Sequence, residues 1–222
     1  MIKLQKANRP PILEANGNTW TNILLSKVAA GGNPTDAEKT RYRHPQIKSA
    51  LVDETSGKCA YCESKLLHIH HGDVEHIMPK SLDLTKILEW ANLTLACEIC
   101  NQNKSNRDPN ASHIIDPYVD NPDEHLAFTG PLVLSKGTEK GICSRSILDL
   151  NRGELMERRK EKLESLAIVA EMIFRPDLPL PARKAMYQNL VANDIAPGAP
   201  YAAMARAFVH QIKGHLPEEI TA

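Results

Sequence analysis

The chain has 222 residues and a mass of 24.6 kDa, and 42% of its residues are hydrophobic, so it can bury a core in one large or two small domains. Its 27 Lys and Arg residues equal its 27 Asp and Glu residues, which excludes binding of nucleic acid by bulk positive charge alone. No apolar run approaches the roughly 18 residues of a membrane span, and the first residues lack the apolar stretch of a signal peptide. We therefore expect a soluble, cytoplasmic protein with no membrane partner.

The N-terminal segment, residues 1–55, is predicted to be an arm followed by helices. A short helix is expected over residues 21–30. Thr35 and Glu38 have the spacing of a capping box, which predicts that a second helix begins there. The apolar periodicity of residues 45–55 predicts a third helix just before the first cysteine.

Two Cys-x-x-Cys pairs account for four of the five cysteines, Cys59 with Cys62 and Cys97 with Cys100. The 34 residues between the pairs allow four thiolates to converge on one ion if the intervening chain forms a hairpin. Zinc is the predicted ion, and a closed shell of four cysteines makes it structural. The alternatives are two unrelated buried pairs or a redox motif, and a redox motif would need a flanking βαβ pattern that the sequence lacks. The remaining Cys143 is expected to be partly buried and inert, and it is given no role.

Between the cysteine pairs, residues 72–78 alternate as a short strand that turns at Pro79. Val74 and His76 are predicted to face one way, while Asp73 and Glu75 face the other. The adjacent Glu75 and His76 indicate a division of labour, with a carboxylate oxygen for a divalent cation and an imidazole able to take a proton from water. A lone Glu-His pair is usually an exposed pair of side chains with no functional role, so this interpretation depends on the surrounding motif.

Three histidines precede this strand and could be read as further metal ligands. We predict a solvated turn for them instead, because the zinc shell is already complete with four cysteines. They are His68, His70 and His71.

Taken together, these residues resemble the HNH nuclease family, which has a ββα-metal fold. The resemblance covers about fifty residues and rests on the order and spacing of four motifs. The motifs are Cys59-x-x-Cys62, then Asp73-x-Glu75-His76-Ile77-x-Pro79-x-Ser81, then Asn92-Leu93, then Cys97-x-x-Cys100-Asn101-x-x-Lys104.

A wider similarity extends beyond this core and resembles the HNH nucleases of Septu-type bacterial anti-phage systems. It is carried by residues 3–11, Ile115-Asp116-Pro117-Tyr118, residues 121–126 and Leu150-Asn151-Arg152-x-x-Leu155. This similarity implies a defence role and an ABC or SMC-like ATPase as partner.

The HNH resemblance implies a role for each residue of its motif. His76 would be the general base that activates water, and Glu75 would be a metal ligand at a position where the family more often has aspartate. Asn92 would hold the strands of the site by hydrogen bonds and help to orient His76. Asn101 would be the second protein ligand, and its amide oxygen favours a hard ion such as Mg²⁺ or Mn²⁺.

Three further residues near the motif are open to two interpretations. Lys104 and Arg107 follow on the predicted helix after Cys97, where they either contact phosphate or form an ordinary charged face. Asp116, in an Asp-Pro-Tyr sequence, is predicted to form a turn, although its place in the Septu-like similarity leaves room for a site role.

The rest of the chain divides into a connector and a helical end. Residues 111–145 are predicted to be turn-rich with one strand candidate at 132–134. Residues 146–222 are predicted to be helical and are the candidate docking surface for a partner. Their apolar periodicity predicts helices over 154–174, 181–193 and 200–213.

The distribution of charged residues along the chain indicates how strongly a nucleic-acid substrate can be bound. Residues 56–110 carry six basic and seven acidic side chains, whereas residues 1–55 carry eight basic and five acidic. The motif region therefore has no excess of positive charge. We expect it to bind free DNA weakly, and we expect a second protein to bring the DNA to it.

We therefore predict an α+β fold, predominantly helical, in which residues 56–110 form a small zinc-bound ββα-metal core. The predicted function is a metal-dependent HNH endonuclease that cleaves DNA, with RNA as an open alternative. A zinc-stabilised module that binds nucleic acid or protein without cutting is the second hypothesis. It would need only the cysteines, and not the combination of Glu75, His76, Asn92 and Asn101. A toxin or homing-type nuclease acting alone is disfavoured by the neutral motif region.

Overall fold

The computed structural model describes residues 1–66 and 72–221. Within them lie ten α-helices and two separate antiparallel two-stranded sheets, so the predicted α+β, mainly helical fold class is confirmed. The helices are α1 (Pro11–Ala29), α2 (Asp36–Lys39), α3 (Pro45–Thr55), α4 (Glu98–Lys104), α5 (Pro122–His125), α6 (Glu139–Ile147), α7 (Gly153–Phe174), α8 (Leu180–Asn189), α9 (Ala202–Lys213) and α10 (Glu218–Thr221). The strands are β1 (Asp73–His76), β2 (Leu93–Ala96), β3 (Leu126–Thr129) and β4 (Leu132–Ser135). None of the helices in the described ranges combines the length and apolar character needed to cross a bilayer.

The N-terminal segment differs from the prediction at its start. The first helix begins at Pro11, ten residues before the expected start, because proline is well suited to the first position of a helix, where its missing N–H is not needed. The preceding residues are not a free arm, since Met1 and Ile2 are buried and the Lys6 ammonium donates to Leu93 O at 2.5 Å. The capping box at Thr35 and the helix over residues 45–55 are both present as predicted.

The predicted hairpin of the motif region is formed by β1 and β2. They pair antiparallel with Asp73 opposite Ala96 and His76 opposite Leu93. Both strands are short, and β2 is buried along its whole length. The helix α4 begins at the second cysteine pair, immediately after β2, and completes a ββα unit.

The connector contains more structure than its turn-rich sequence predicts. The strand candidate is confirmed as β4, but its partner β3 and the helices α5 and α6 were not predicted. These elements are short and lie between turns rich in glycine and proline. They contain too few apolar residues to show a helical or strand periodicity in the sequence. Leu126 and Val133 are buried and attach this hairpin to the core.

Two main hydrophobic clusters, and a minor one of Ile2, Ala202 and Ala203, organise the described residues. The larger of the two main clusters contains side chains from α1, α3, both hairpins and the start of α7, and three of the four zinc-motif cysteines. The smaller lies between α7, α8, α9 and α10 and buries the predicted apolar face of α7, including Leu166 and Ile173. Leu163 packs against both clusters, so α7 joins the nuclease-motif region to the C-terminal helices. The histidines His68, His70 and His71 lie outside the described residues.

Candidate metal centre and catalytic cleft

The four motif cysteines meet in one cluster. Their Sγ atoms all lie within 4.8 Å of one another, and those of Cys62 and Cys97 are 3.9 Å apart. Tetrahedral zinc with Zn–S distances of about 2.3 Å sets neighbouring sulfurs ~3.8 Å apart, so the cluster has the dimensions of a zinc site. This all-sulfur donor set fits a structural zinc ion that is closed to substrate.

Local backbone geometry presents the thiols to one another. Cys97 caps the N-terminus of α4, and its Sγ accepts a hydrogen bond from the Cys100 N–H at 3.4 Å. At the other pair, the Cys59 N–H donates to Ser64 O at 2.9 Å, and the Ala60 N–H donates to a carbonyl of β2 at 2.9 Å. The cluster therefore joins the chain before the hairpin to the helix after it.

Arg152 lies beside this cluster although it is far from it in the sequence. Its Nη1 is 3.8 Å from Cys100 Sγ and its Nη2 is 3.8 Å from Cys97 Sγ. Burial lowers the pKa of Arg152, but the negative cysteines outweigh burial and raise that pKa above its ordinary value. Four thiolates around Zn²⁺ leave a net negative charge, and the guanidinium offsets part of it. Sequence reasoning missed this contact.

His76 is buried and oriented by two contacts. Its Nε2 lies 3.0 Å from Ile87 O, and its ring packs edge-on against Tyr42 with centroids 4.6 Å apart. Because a carbonyl oxygen only accepts, Nε2 carries the proton and Nδ1 keeps its lone pair. Burial lowers the pKa of His76 to about 4, so the ring is neutral at pH 7. A neutral imidazole whose Nδ1 makes no hydrogen bond to the described residues has the form that a general base requires.

Glu75 is buried next to His76 and is paired with a buried cation. The Lys104 Nζ lies 2.8 Å from Glu75 Oε1 and donates to His76 O at 2.9 Å. Burial raises the pKa of Glu75, and the Lys104 ammonium opposes that rise. With its side chain 1% exposed and both contacts internal, Lys104 has a structural position. Contact with phosphate was one of two open interpretations of Lys104, and the buried position of its side chain does not favour it.

A cleft of about 430 Å³ brings together the residues that the motif predicts. Glu75, His76 and Asn101 all line it, as does Asp73. The Asn101 Nδ2 donates to Asp73 Oδ2 at 3.0 Å, which leaves Oδ1 as the atom of Asn101 that can ligate a cation. Carboxylate and amide oxygens at the edge of a cleft fit Mg²⁺ or Mn²⁺, which complete their shells with water. Asp73 was placed on the Glu75 face from the sequence but was not given this role.

Asn92 holds the long turn between β1 and β2. Its Oδ1 accepts from the Met78 N–H at 2.7 Å, and its Nδ2 donates to Met78 O at 3.0 Å and to Lys86 O at 3.1 Å. Lys86 immediately precedes Ile87, whose carbonyl contacts His76. Asn92 is therefore attached to the strand and to the backbone that orients the imidazole.

Three residues with unsettled roles are placed by the structure. Arg107 is exposed just beyond α4 and is not among the residues that line the cleft. Asp116 forms the predicted turn, with its Oδ1 accepting from the Tyr118 N–H at 2.9 Å. Cys143 is a free, partly buried thiol as expected.

The geometry of the hairpin, cysteine cluster and cleft agrees with sequence comparison. Residues 59–107 match the family model described as HNH endonuclease. The chain contains an HNH endonuclease domain. This HNH domain begins at the first zinc-motif cysteine and ends just after α4, and its four-cysteine cluster fits the zinc type of the family.

Two curated proteins resemble the chain well beyond the HNH domain. A Septu protein PtuB of Bacillus mycoides (strain KBAB4) is 26% identical, over 76% of this chain and 69% of the relative. A Septu protein PtuB of Bacillus thuringiensis is 34% identical, over 68% of this chain and 55% of the relative. The match thus spans about two thirds and about half of the two relatives' lengths. The Septu-like similarity predicted from the sequence is confirmed.

Proposed function

We propose that this protein is a divalent-metal-dependent endonuclease that hydrolyses phosphodiester bonds in DNA. The orientation of His76 carries this proposal. Its Nε2–H is directed to Ile87 O, so Nδ1 remains for a water molecule in the cleft that also contains Glu75 and Asn101. The HNH domain match supports the reaction class.

His76 would act first in the reaction. Its Nδ1 takes a proton from water as the water oxygen attacks phosphorus, and the bond from phosphorus to the 3′ oxygen breaks on the opposite side. The Ile87 carbonyl, which accepts from Nε2–H, stabilises the imidazolium that forms. Asn92 keeps this carbonyl in place through its bond to the preceding residue.

Glu75 and Asn101 would hold the catalytic cation, with Asp73 orienting the Asn101 amide. A bound Mg²⁺ or Mn²⁺ supplies charge to stabilise a nonbridging phosphate oxygen and the departing oxygen. A structural zinc held by the four cysteines would fix the position of Asn101, because Asn101 directly follows the zinc-motif Cys100 on α4.

A plasmid-nicking assay with Mg²⁺ or Mn²⁺ tests the proposal on the wild type and on His76→Ala. We expect nicking or linearisation by the wild type and at least a hundredfold loss in the variant, with unchanged zinc content and circular dichroism. Equal cutting by the His76→Ala protein would remove His76 from the mechanism. No cutting with any divalent ion, even beside the product of a neighbouring gene, would favour the non-catalytic binding module.

We also propose that the chain is the effector of a bacterial anti-phage system and works with an ABC or SMC-like ATPase. The similarity to Septu proteins and the balanced charge of residues 56–110 support this assignment. In this proposal residues 56–110 are the nuclease core, residues 1–55 and 111–145 surround it, and residues 146–222 dock the ATPase. Ile168 on α7 is 65% exposed and is a candidate contact.

Co-purification from the native operon tests the partnership. We expect the ATPase to elute with the full chain, and Ile168→Asp to weaken the complex while leaving the zinc content unchanged. Strong cutting by the isolated chain, together with no associated ATPase, would contradict it.

A further inference from the structure

Part of the lining of the catalytic cleft comes from outside the HNH domain. A short 3₁₀ helix, Arg41–Arg43, lies before α3 and contributes Tyr42 and Arg43 to the cleft lining. Lys80, in the turn after β1, also lines it. Two cationic side chains thus lie beside His76, one of them from the N-terminal segment.

The Tyr42 ring connects these cations to the catalytic histidine. The Lys80 Nζ donates to Tyr42 Oη at 2.8 Å and lies 4.4 Å from the ring centroid. The Arg43 guanidinium carbon lies 5.4 Å from the same centroid, and the ring itself packs on His76. Both positive charges are therefore positioned against a buried, rigid ring rather than extended freely into solvent.

Within the part of the chain that the structure describes, neither cation is neutralised by a carboxylate. Throughout residues 1–66 and 72–221, no Asp or Glu oxygen lies within ion-pairing distance of Arg43 or Lys80. Lys104, by contrast, is buried and paired with Glu75. Exposed, preoriented and unpaired cations beside a phosphodiester-cleaving site are suited to bind the anionic backbone of the substrate.

We propose that Arg43 and Lys80, held by Tyr42, form a phosphate-binding subsite that takes the backbone of the nucleic-acid strand next to the bond cut at His76. The inference rests on the proposed function and extends it to substrate binding. The subsite also adds a positive charge to the motif region that the count over residues 56–110 leaves out, because Arg43 lies in the N-terminal segment.

Direct binding of a fluorescent DNA duplex, measured by anisotropy over a salt series, tests the subsite. The full chain carries His76→Ala in every sample, so that binding is measured without cleavage and without added divalent ions. Arg43→Gln and Lys80→Gln should each weaken binding roughly three- to tenfold at low salt and reduce the slope of log K against log salt by about one. Arg43→Lys should retain most of the slope because it keeps the charge.

Lys160→Gln is the matched control, since it removes one positive charge from an exposed position on α7. Slopes for Arg43→Gln and Lys80→Gln equal to that of the control would overturn the subsite, and so would an absence of duplex binding by the parent protein. Failure of the nuclease proposal is distinguishable. If the wild-type protein binds DNA through Arg43 and Lys80 but does not nick it, the phosphate-binding subsite is supported and the proposed nuclease activity is contradicted.

Discussion

Lys104 and Glu75 form a buried ion pair with 2.8 Å between Nζ and Oε1, and the same ammonium donates to the backbone carbonyl of His76. The lysine therefore connects α4 to two successive residues of β1. In a protein interior, a pair of this kind matters most when one partner is removed, because the other charge is then left without compensation.

Lys104→Met should destabilise the protein by about 3–5 kcal/mol, since it leaves the Glu75 carboxylate without its counter-ion and the His76 carbonyl without its donor. Urea unfolding of the zinc-loaded protein measures the change. The double variant with Glu75→Gln is expected to recover part of the loss, because it removes the uncompensated charge. A loss below about 1 kcal/mol in the single variant would contradict this role.

Arg152→Leu should weaken zinc retention, because the thiolate cluster loses the positive charge that lies 3.8 Å from two of its sulfurs. Release of zinc to a colorimetric chelator is expected to be about tenfold faster or more. Arg158→Leu, on the same helix but exposed and paired with Glu161, is the matched control. Indistinguishable release from the two variants would exclude an electrostatic role for Arg152.

Asn92→Ala should loosen the turn that carries the Ile87 carbonyl, since the side chain makes three hydrogen bonds to backbone groups. We expect a stability loss of about 2–3 kcal/mol and a lower kcat with little change in KM. Asn92→Asp keeps the acceptor for the Met78 N–H but loses both donated bonds, so it should recover only part of the stability. A kcat equal to wild type in Asn92→Ala would show that the turn does not position His76.

His76 should titrate at about pH 4 in zinc-loaded protein without other divalent ions, because burial disfavours its charged form. The pKa of His76 is lower in the folded protein than the roughly 6.5 of an unfolded histidine. The neutral His76 ring therefore makes its full contribution to the free energy of unfolding above pH 6.5, and this contribution is lost as the pH falls from 6.5 toward 4. The loss is on the order of 1 kcal/mol per pH unit. NMR titration of the ring protons, assigned with His76→Gln, measures the pKa. A midpoint near 6.5 would mean that the ring is open to water.

The features that could be predicted from the sequence are those written in local spacing. The two cysteine pairs, the Glu75-His76 strand and the helix over residues 45–55 each follow from neighbouring residues, so pattern and geometry agree. The long helix α7 was likewise predictable from its apolar period.

The features that were missed depend on contacts between distant segments. Arg152 reaches Cys100 across 52 positions, and Tyr42 meets His76 across 34, and no local pattern marks either approach. For Lys104, the position in the fold was predictable from the sequence but the environment of its charge was not. Its position on α4 was predictable, but whether its charge faces solvent or a buried carboxylate depends on how the helix packs against β1.

The start of α7 has a consequence for control of the enzyme. Arg152 is the N-cap of this helix and contacts Cys97 and Cys100, and the next residue after Cys100 is Asn101. The far end of the same helix belongs to the smaller hydrophobic cluster. If Asn101 holds the cation as proposed, a protein that binds the C-terminal helices and tilts α7 would shift Asn101 through Arg152 and the cysteine cluster, and would thereby change the rate of cleavage.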